Sequence, residues 1–323
     1  DEVGEYYNSN APLFEGSYWR HTIRHEIGHA LGLSHTQHAS SISGTTYGEN
    51  LWVGSEDNTL SYSVMSYFSY IGELSADAVS VPGTTNPTSL MMNDIAALQY
   101  MYGANMQTNR GNDIYTRSSL AGEKNNEFGF SFIHATIWDA AGIDTISWHG
   151  EATRADISLA AGSFSFFGDI TSLSDKQLDL QLPEASGLLG IAYGVEIENA
   201  IGGSGDDILV GNDLDNVLFG GTSRTGSDRL TGGAGADIFV CTYADAAQDI
   251  ALGDVITDFT KDEDVIGLVN IALADIAWAA LEVGTRVYLA SSELTLFILE
   301  GVDVAQMDSQ DFVISFYAAS DFA

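Results

Sequence analysis

A nine-residue rhythm of the form Gly-Gly-x-Gly-x-Asp-x-apolar-x runs from Gly202 to Val240 and narrows the possible folds more than any other feature. Its units read GGSGDDILV, GNDLDNVLF, GGTSRTGSDRLT and GGAGADIFV, the third with a three-residue insertion. Position six holds Asp207, Asn216, Asp228 and Asp237, and position eight holds Leu209, Leu218, Leu230 and Phe239. The large apolar residue points inward to make a narrow core between stacked turns. The glycines, among them Gly203, Gly205, Gly233 and Gly235, allow tight turns whose carbonyls face an ion, and the aspartate closes the cage with charge. Asn216 is neutral and weakens its site. A Gly/Asp linker without metal is the competing reading.

Charge agrees with a cation-binding chain. Acidic residues number 45 and basic ones 11 among 323, for a formal charge of −34. Such a field repels phosphates, so neither nucleic acid nor an anionic membrane surface is an expected partner. Cys241 is the only cysteine, which rules out an internal disulfide. No apolar run is long enough for a membrane span, and no basic-then-apolar leader is visible.

The chain divides by composition into residues 1–105, rich in histidine and helix signals, and a β-rich remainder over 106–323, which together predict an α+β protein. Asn93–Tyr102 has helical spacing with Gly103 as its stop. Short β-prone runs between about 106 and 200 read as antiparallel structure, and Ile271–Val283 as a surface helix.

Residues 25–35 read HEIGHALGLSH. His25 and His29 stand four apart, so a helix projects both imidazoles from one face. Gly32 supports a positive φ, which ends the helix and lets the chain bring His35 round as a third nitrogen ligand. Three neutral histidines leave a fourth zinc position for water, the catalytic pattern, and Glu26 is within reach of that water as general base. His21 reads as a solvated or satisfied bystander; His38, His134 and His149 show no partner spacing.

HExxHxxGxxH is the metzincin zinc signature, and Tyr62–Phe68 (YSVMSYF) resembles the methionine turn of the serralysins specifically. The resemblance implies an apolar floor at Met65 beneath the zinc. It also implies Tyr67 as a displaceable zinc ligand whose phenol stabilises the tetrahedral intermediate. MNDIAALQYMYGAN resembles the serralysin helix that closes the catalytic domain. The nine-residue units are similar to the repeats-in-toxin parallel β-roll, in which calcium is shared between turns two repeats apart. That pairs Asp207 with Asp228 and Asn216 with Asp237. Asp139-Ala-Ala-Gly142-Ile-Asp144 looks like a family calcium loop, with Gly111 and Asp113 as further ligands; an Asx-rich turn without metal competes for it. Asp258, in the stretch Asp254–Phe259, is a further calcium ligand on the same resemblance.

The implied protein is a secreted zinc endopeptidase acting on extracellular proteins and peptides. It comprises the zinc-binding half of a metzincin catalytic domain, followed by a calcium-binding β-roll or β-sandwich domain. Asp311-Phe-Val-Ile314, or Asp321-Phe322, resembles the C-terminal signal read by type I secretion machinery. Serralysins carry well over a hundred residues before the zinc helix, against 24 here, so the sequence is expected to be a fragment of a larger enzyme, with a separate completing chain or a reduced variant as the alternatives. Without that remainder, Ile27, Ala30, Leu31 and Leu33 are expected to be exposed. The alternative function is a non-catalytic calcium-binding export and folding module with a silent zinc site.

Overall fold

The computed structural model describes residues 16–36, 58–67, 86–121, 133–168, 187–223 and 226–314. The readings placed on His38, Phe68, Asp321 and Phe322 lie outside these residues. The chain forms two compact units. The first draws on Asp1–Asn105, Ser118–Trp138 and Ile170–Tyr193; the second on Met106–Arg117, Asp139–Asp169 and Gly194–Ala323. The described residues 118–121, 133–138 and 187–193 group with the histidine-rich unit.

In the first unit, helix α1 (Tyr18–Ala30) begins at Ser17, whose Oγ accepts from the Arg20 N–H, and ends at Gly32 with φ +98°. Helix α2 (Met92–Tyr102) stops at Gly103, φ +82°, as its sequence predicts. Leu33, Val64, Met65 and Met91 form a small core, joined by Leu90, Ala97 and Leu98. Ile27, Ala30 and Leu31 are exposed, as expected for the outward side of α1, but Leu33 is buried. Leu33 lies beyond the Gly32 turn, so it leaves the helix face and joins that core. Strands Ile133–Ile137 and Gly187–Ile191 pair in parallel.

The second unit is a coil that alternates between two sheets. Seven parallel strands form one sheet: Ile114–Thr116, Thr145–Ser147, Asn199–Ile201, Val217–Phe219, Ile238–Thr242, Val265–Val269 and Phe312–Ile314. The other sheet stacks Ala155–Ser158, Ile208–Val210, Arg229–Thr231, Asp254–Ile256 and Thr295–Glu300 in parallel. Leu209 and Leu230 in this sheet, and Leu218 and Phe239 in the seven-stranded one, have no exposed surface. Each such side chain contributes about 1.5–3 kcal/mol by leaving water.

Two expectations are corrected here. Among the described residues of 106–200 the pairing is mainly parallel, with one antiparallel pair, Ala155–Ser158 with Phe164–Phe167. From Asn199 to Val269 each three- to five-residue strand hands the chain to the other sheet, so a strand meets its neighbour one full coil later, running the same way. Ile271–Val283 is no helix: a short 3₁₀ turn, Leu273–Asp275, precedes strand Ile276–Leu281. That strand pairs antiparallel with Gly284–Leu289, where Thr285, Val287 and Leu289 are buried. Burial against a sheet overrides the helical propensity of the alanines.

Candidate metal centre

Helix α1 sets His25 and His29 on one face, and the chain returns after Gly32 to place His35 beside them. His35 Nε2 lies 3.0 Å from His25 Nε2 and 2.9 Å from His29 Nε2. The opposite ring nitrogens are fixed: His25 Nδ1 lies 2.8 Å from the Val64 carbonyl and His29 Nδ1 2.9 Å from the Leu33 carbonyl. A carbonyl can only accept, so both Nδ1 atoms carry the proton and both Nε2 atoms present lone pairs. Together with His35 Nε2 they converge on one point. The donor set therefore fits a divalent, nitrogen-preferring metal such as zinc. The Tyr67 hydroxyl, 2.8 Å from His35 Nε2, reaches the same point. Glu26 is exposed on α1 next to His25.

The floor of the site is built by close packing. Met65 is buried beneath α1, and a Cβ added to Gly28 would stand 2.5 Å from its Sδ. Glycine at 28 lets the helix approach the methionine without displacing its side chain, a role its position in HEIGH does not announce. Asp94, in the first turn of α2, is buried and accepts from Ser63 Oγ at 2.6 Å, Val64 N at 2.8 Å and Met91 N at 2.9 Å. Burial pushes its carboxyl up despite these donors. His21 proves buried rather than solvated, and its Nδ1 has no hydrogen-bond partner among the described residues. Burial, then the neighbouring His25 and Arg24, push it down to about 4.

In the second unit the residue preceding each strand of the seven-stranded sheet is acidic or an amide: Asp113, Asp144, Glu198, Asn216, Asp237, Asp264 and Asp311. These residues form ladders, the N–H of one donating to the side chain of the next. Asp113 N donates to Asp144 Oδ1 (2.7 Å) and Asp144 N to Glu198 Oε2 (2.7 Å). Asn216 N donates to Asp237 Oδ1 (2.9 Å) and Asp237 N to Asp264 Oδ1 (3.0 Å). A second ladder links Asp207 N to Asp228 Oδ1 (2.8 Å) and Asp228 N to Asp254 Oδ1 (3.0 Å). The repeat does not single out Glu198, Asp254 and Asp264, which lie outside its nine-residue units; their signal is the position just before, or at, the start of a strand.

Packing these carboxyls away from water raises their affinity for protons. Burial pushes Asp207 and Asp144 up to about 6, Asp237 to about 7 and Asp228 to about 8, each reinforced by neighbouring carboxylates. Asp258 sits at the rim, accepting from the N–H groups of Gly232 and Gly233 at 2.9 Å each. Gly233 and Gly235 turn the chain at φ +102° and +105°, while Gly203 and Gly205 lie where neighbouring backbone leaves no room for a Cβ.

Asp113, Asp139 and Asp144 each offer an oxygen within 4.8 Å of the others. Asp144 Oδ2 is buried without a hydrogen-bond partner among the described residues. The Gly111 carbonyl oxygen lies 2.0 Å from where a Cβ on Gly142 would stand, so only glycine keeps this approach open. Tyr115 donates its hydroxyl proton to Asp139. An all-oxygen set with an orphaned carboxylate oxygen fits a hard cation such as calcium.

The family description "Peptidase M10 serralysin C terminal" matches residues 99–318, and "Met-zincin" matches residues 12–148. The chain is 36% identical over 219 residues to Metalloprotease AprA of Pseudomonas entomophila (strain L48), covering 67% of this chain and 41% of that protein. It is 39% identical over 198 residues to Serralysin B of Dickeya chrysanthemi, covering 60% and 36%. The chain thus spans about two fifths of the length of the curated relatives it matches. With the first match extending over more than half its length, and a histidine–methionine centre in the region of the second, this chain belongs to the serralysin family of metzincin peptidases.

Proposed function

We propose that the chain carries the catalytic centre of a secreted zinc endopeptidase that hydrolyses peptide bonds in extracellular proteins. The observation that carries this reading is the convergence of three imidazole Nε2 atoms, two of them fixed as lone-pair donors by backbone carbonyls. His25, His29 and His35 would hold the zinc, with Tyr67 as a displaceable fourth protein ligand. When bound, zinc would polarise the scissile carbonyl and lower the pKa of a bound water to about 7. Glu26 takes a proton from the attacking water on its carboxylate oxygen and passes it to the leaving amine nitrogen. The Tyr67 hydroxyl donates to the developing oxyanion. Met65 excludes water from beneath the ligands.

Calcium is proposed as the structural ion of the second unit, held by Asp113, Asp139, Asp144 and the Gly111 carbonyl, and along the repeat by the Asp207–Asp228 and Asn216–Asp237 turns with Asp258. Low free calcium inside the cell would keep the repeat unfolded for type I export, and millimolar calcium outside would fold it.

The test uses the chain loaded with one equivalent of zinc and millimolar calcium, assayed on casein. Hydrolysis that disappears in Glu26→Ala while zinc remains bound supports the reading. Zinc binding with no hydrolysis by the parent chain, alone or with the remainder of the catalytic domain added, would favour the non-catalytic module instead.

A further inference from the structure

We infer that Asp94 is a positioning residue for the metal centre, acting on His25 through the Val64–Met65 peptide group. This rests on the zinc reading above. One face of that peptide group, the Val64 carbonyl oxygen, lies 2.8 Å from His25 Nδ1 and accepts its proton. The other, the Met65 N–H, donates to Ser63 Oγ at 3.0 Å. Ser63 Oγ in turn donates to Asp94 Oδ1 at 2.6 Å. The bonds all run the same way, from imidazole N–H through peptide and hydroxyl to a carboxylate. Each donor in such a chain is polarised by the acceptor beyond it, so the carboxylate strengthens the pull on the His25 proton. A firmer Nδ1–H bond fixes the ring and makes Nε2 a better donor to metal.

Asp94 also holds the strand of chain that carries this relay. Its Oδ2 accepts from the Val64 N–H at 2.8 Å and from the Met91 N–H at 2.9 Å, which pins the methionine turn to the start of α2. The Asn93 N–H donates to the Tyr62 carbonyl at 2.9 Å and closes the same junction. With Ser63, Val64, Met65 and Asp94 all buried, thermal motion has little freedom to break the chain of bonds.

His29 supplies an internal control. Its Nδ1 rests on the Leu33 carbonyl, 2.9 Å away just beyond the turn that ends its own helix, and is not part of the Ser63–Asp94 chain. Disturbing Asp94 should therefore reach His25 and spare His29.

The experiment compares the parent chain with Ser63→Ala, which cuts the relay but leaves the Asp94 carboxylate, and with Asp94→Asn. Zinc affinity is read by competition with a chromophoric chelator, and the Nδ1–H proton resonances of His25 and His29 are followed in ¹⁵N-labelled protein without metal. The expected result is zinc binding weakened by about 10–100-fold, with the His25 resonance moved upfield and His29 unmoved. Parental affinity and an unmoved His25 resonance in both variants would overturn the inference. So would equal changes at His25 and His29 with a lowered melting temperature, which mark a general structural role. If the parent chain itself binds no zinc, the zinc reading fails, while the two resonances still decide whether Asp94 positions His25.

Discussion

Calcium and protons should compete for the carboxylate ladders of the second unit, and the structure gives the sign. The buried Asp207, Asp237 and Asp228 have folded pKa values of about 6, 7 and 8, raised from 3.8 chiefly by burial. A raised carboxyl pKa means the folded chain binds protons more tightly than the unfolded one. Its stabilisation is full below the unfolded value and is lost as pH climbs through the folded values. In chelator the unit should therefore weaken between pH 5 and pH 8. One pKa unit corresponds to about 1.4 kcal/mol, so Asp207 alone loses roughly 3 kcal/mol from below pH 3.8 to above pH 6, of which about 1.4 kcal/mol falls above pH 5. The carboxylates share one field, and their losses do not simply add. At about 2–4 °C per kcal/mol for a unit of this size, the Asp207 term alone should lower the melting temperature by roughly 3–6 °C between pH 5 and pH 8.

Scanning calorimetry from pH 5 to 8, in chelator and in millimolar calcium, measures this. Calcium should remove most of the fall, because it neutralises at pH 8 what protons neutralise at pH 5. The self-repulsion of a chain of charge −34 would give a slope of the same sign. Asp228→Asn separates the two: in chelator it should flatten the slope above pH 6, raise the melting temperature at pH 8 and lose part of the calcium response. A melting temperature in chelator that is flat or rising from pH 5 to 8 would refute the ladder argument. A slope unchanged in Asp228→Asn would assign it to surface charge.

Further substitutions probe separate parts of the molecule. Tyr67→Phe should lower kcat more than it raises KM in the casein or peptide assay, because the phenol acts on the transition state; an equal loss of zinc affinity and rate would mark it as a structural ligand instead. Gly28→Ala should cost about 1–3 kcal/mol by thermal melting, since the new methyl displaces a buried Met65. Asn216→Asp should tighten calcium binding, measured by titration calorimetry, because it adds charge to the neutral rung of its ladder.

How much of this could be read from the sequence follows from how local each signal is. HExxHxxGxxH encodes its geometry within eleven residues: a helical turn separates His25 from His29, and Gly32 permits the return that brings His35 to them. The apolar position of each nine-residue unit is equally local, and Leu209, Leu218, Leu230 and Phe239 are fully buried. Strand direction is not local. A three-residue apolar run between Asx and glycine turns serves a hairpin or a coil alike, and only pairing partners one coil away decide between them. The same distance hid Asp94, which reads as an ordinary acid in the first turn of a helix. Its second role depends on Ser63 and Val64, some thirty residues earlier in the chain. Gly28 resembles any small residue on a helix until Met65 is packed against it. The proposed ligands are therefore written in one short segment, while the groups proposed to aim them come from elements brought together only by folding. A zinc signature specifies which atoms can bind; the buried contacts around Met65 and Asp94 determine how firmly those atoms are held.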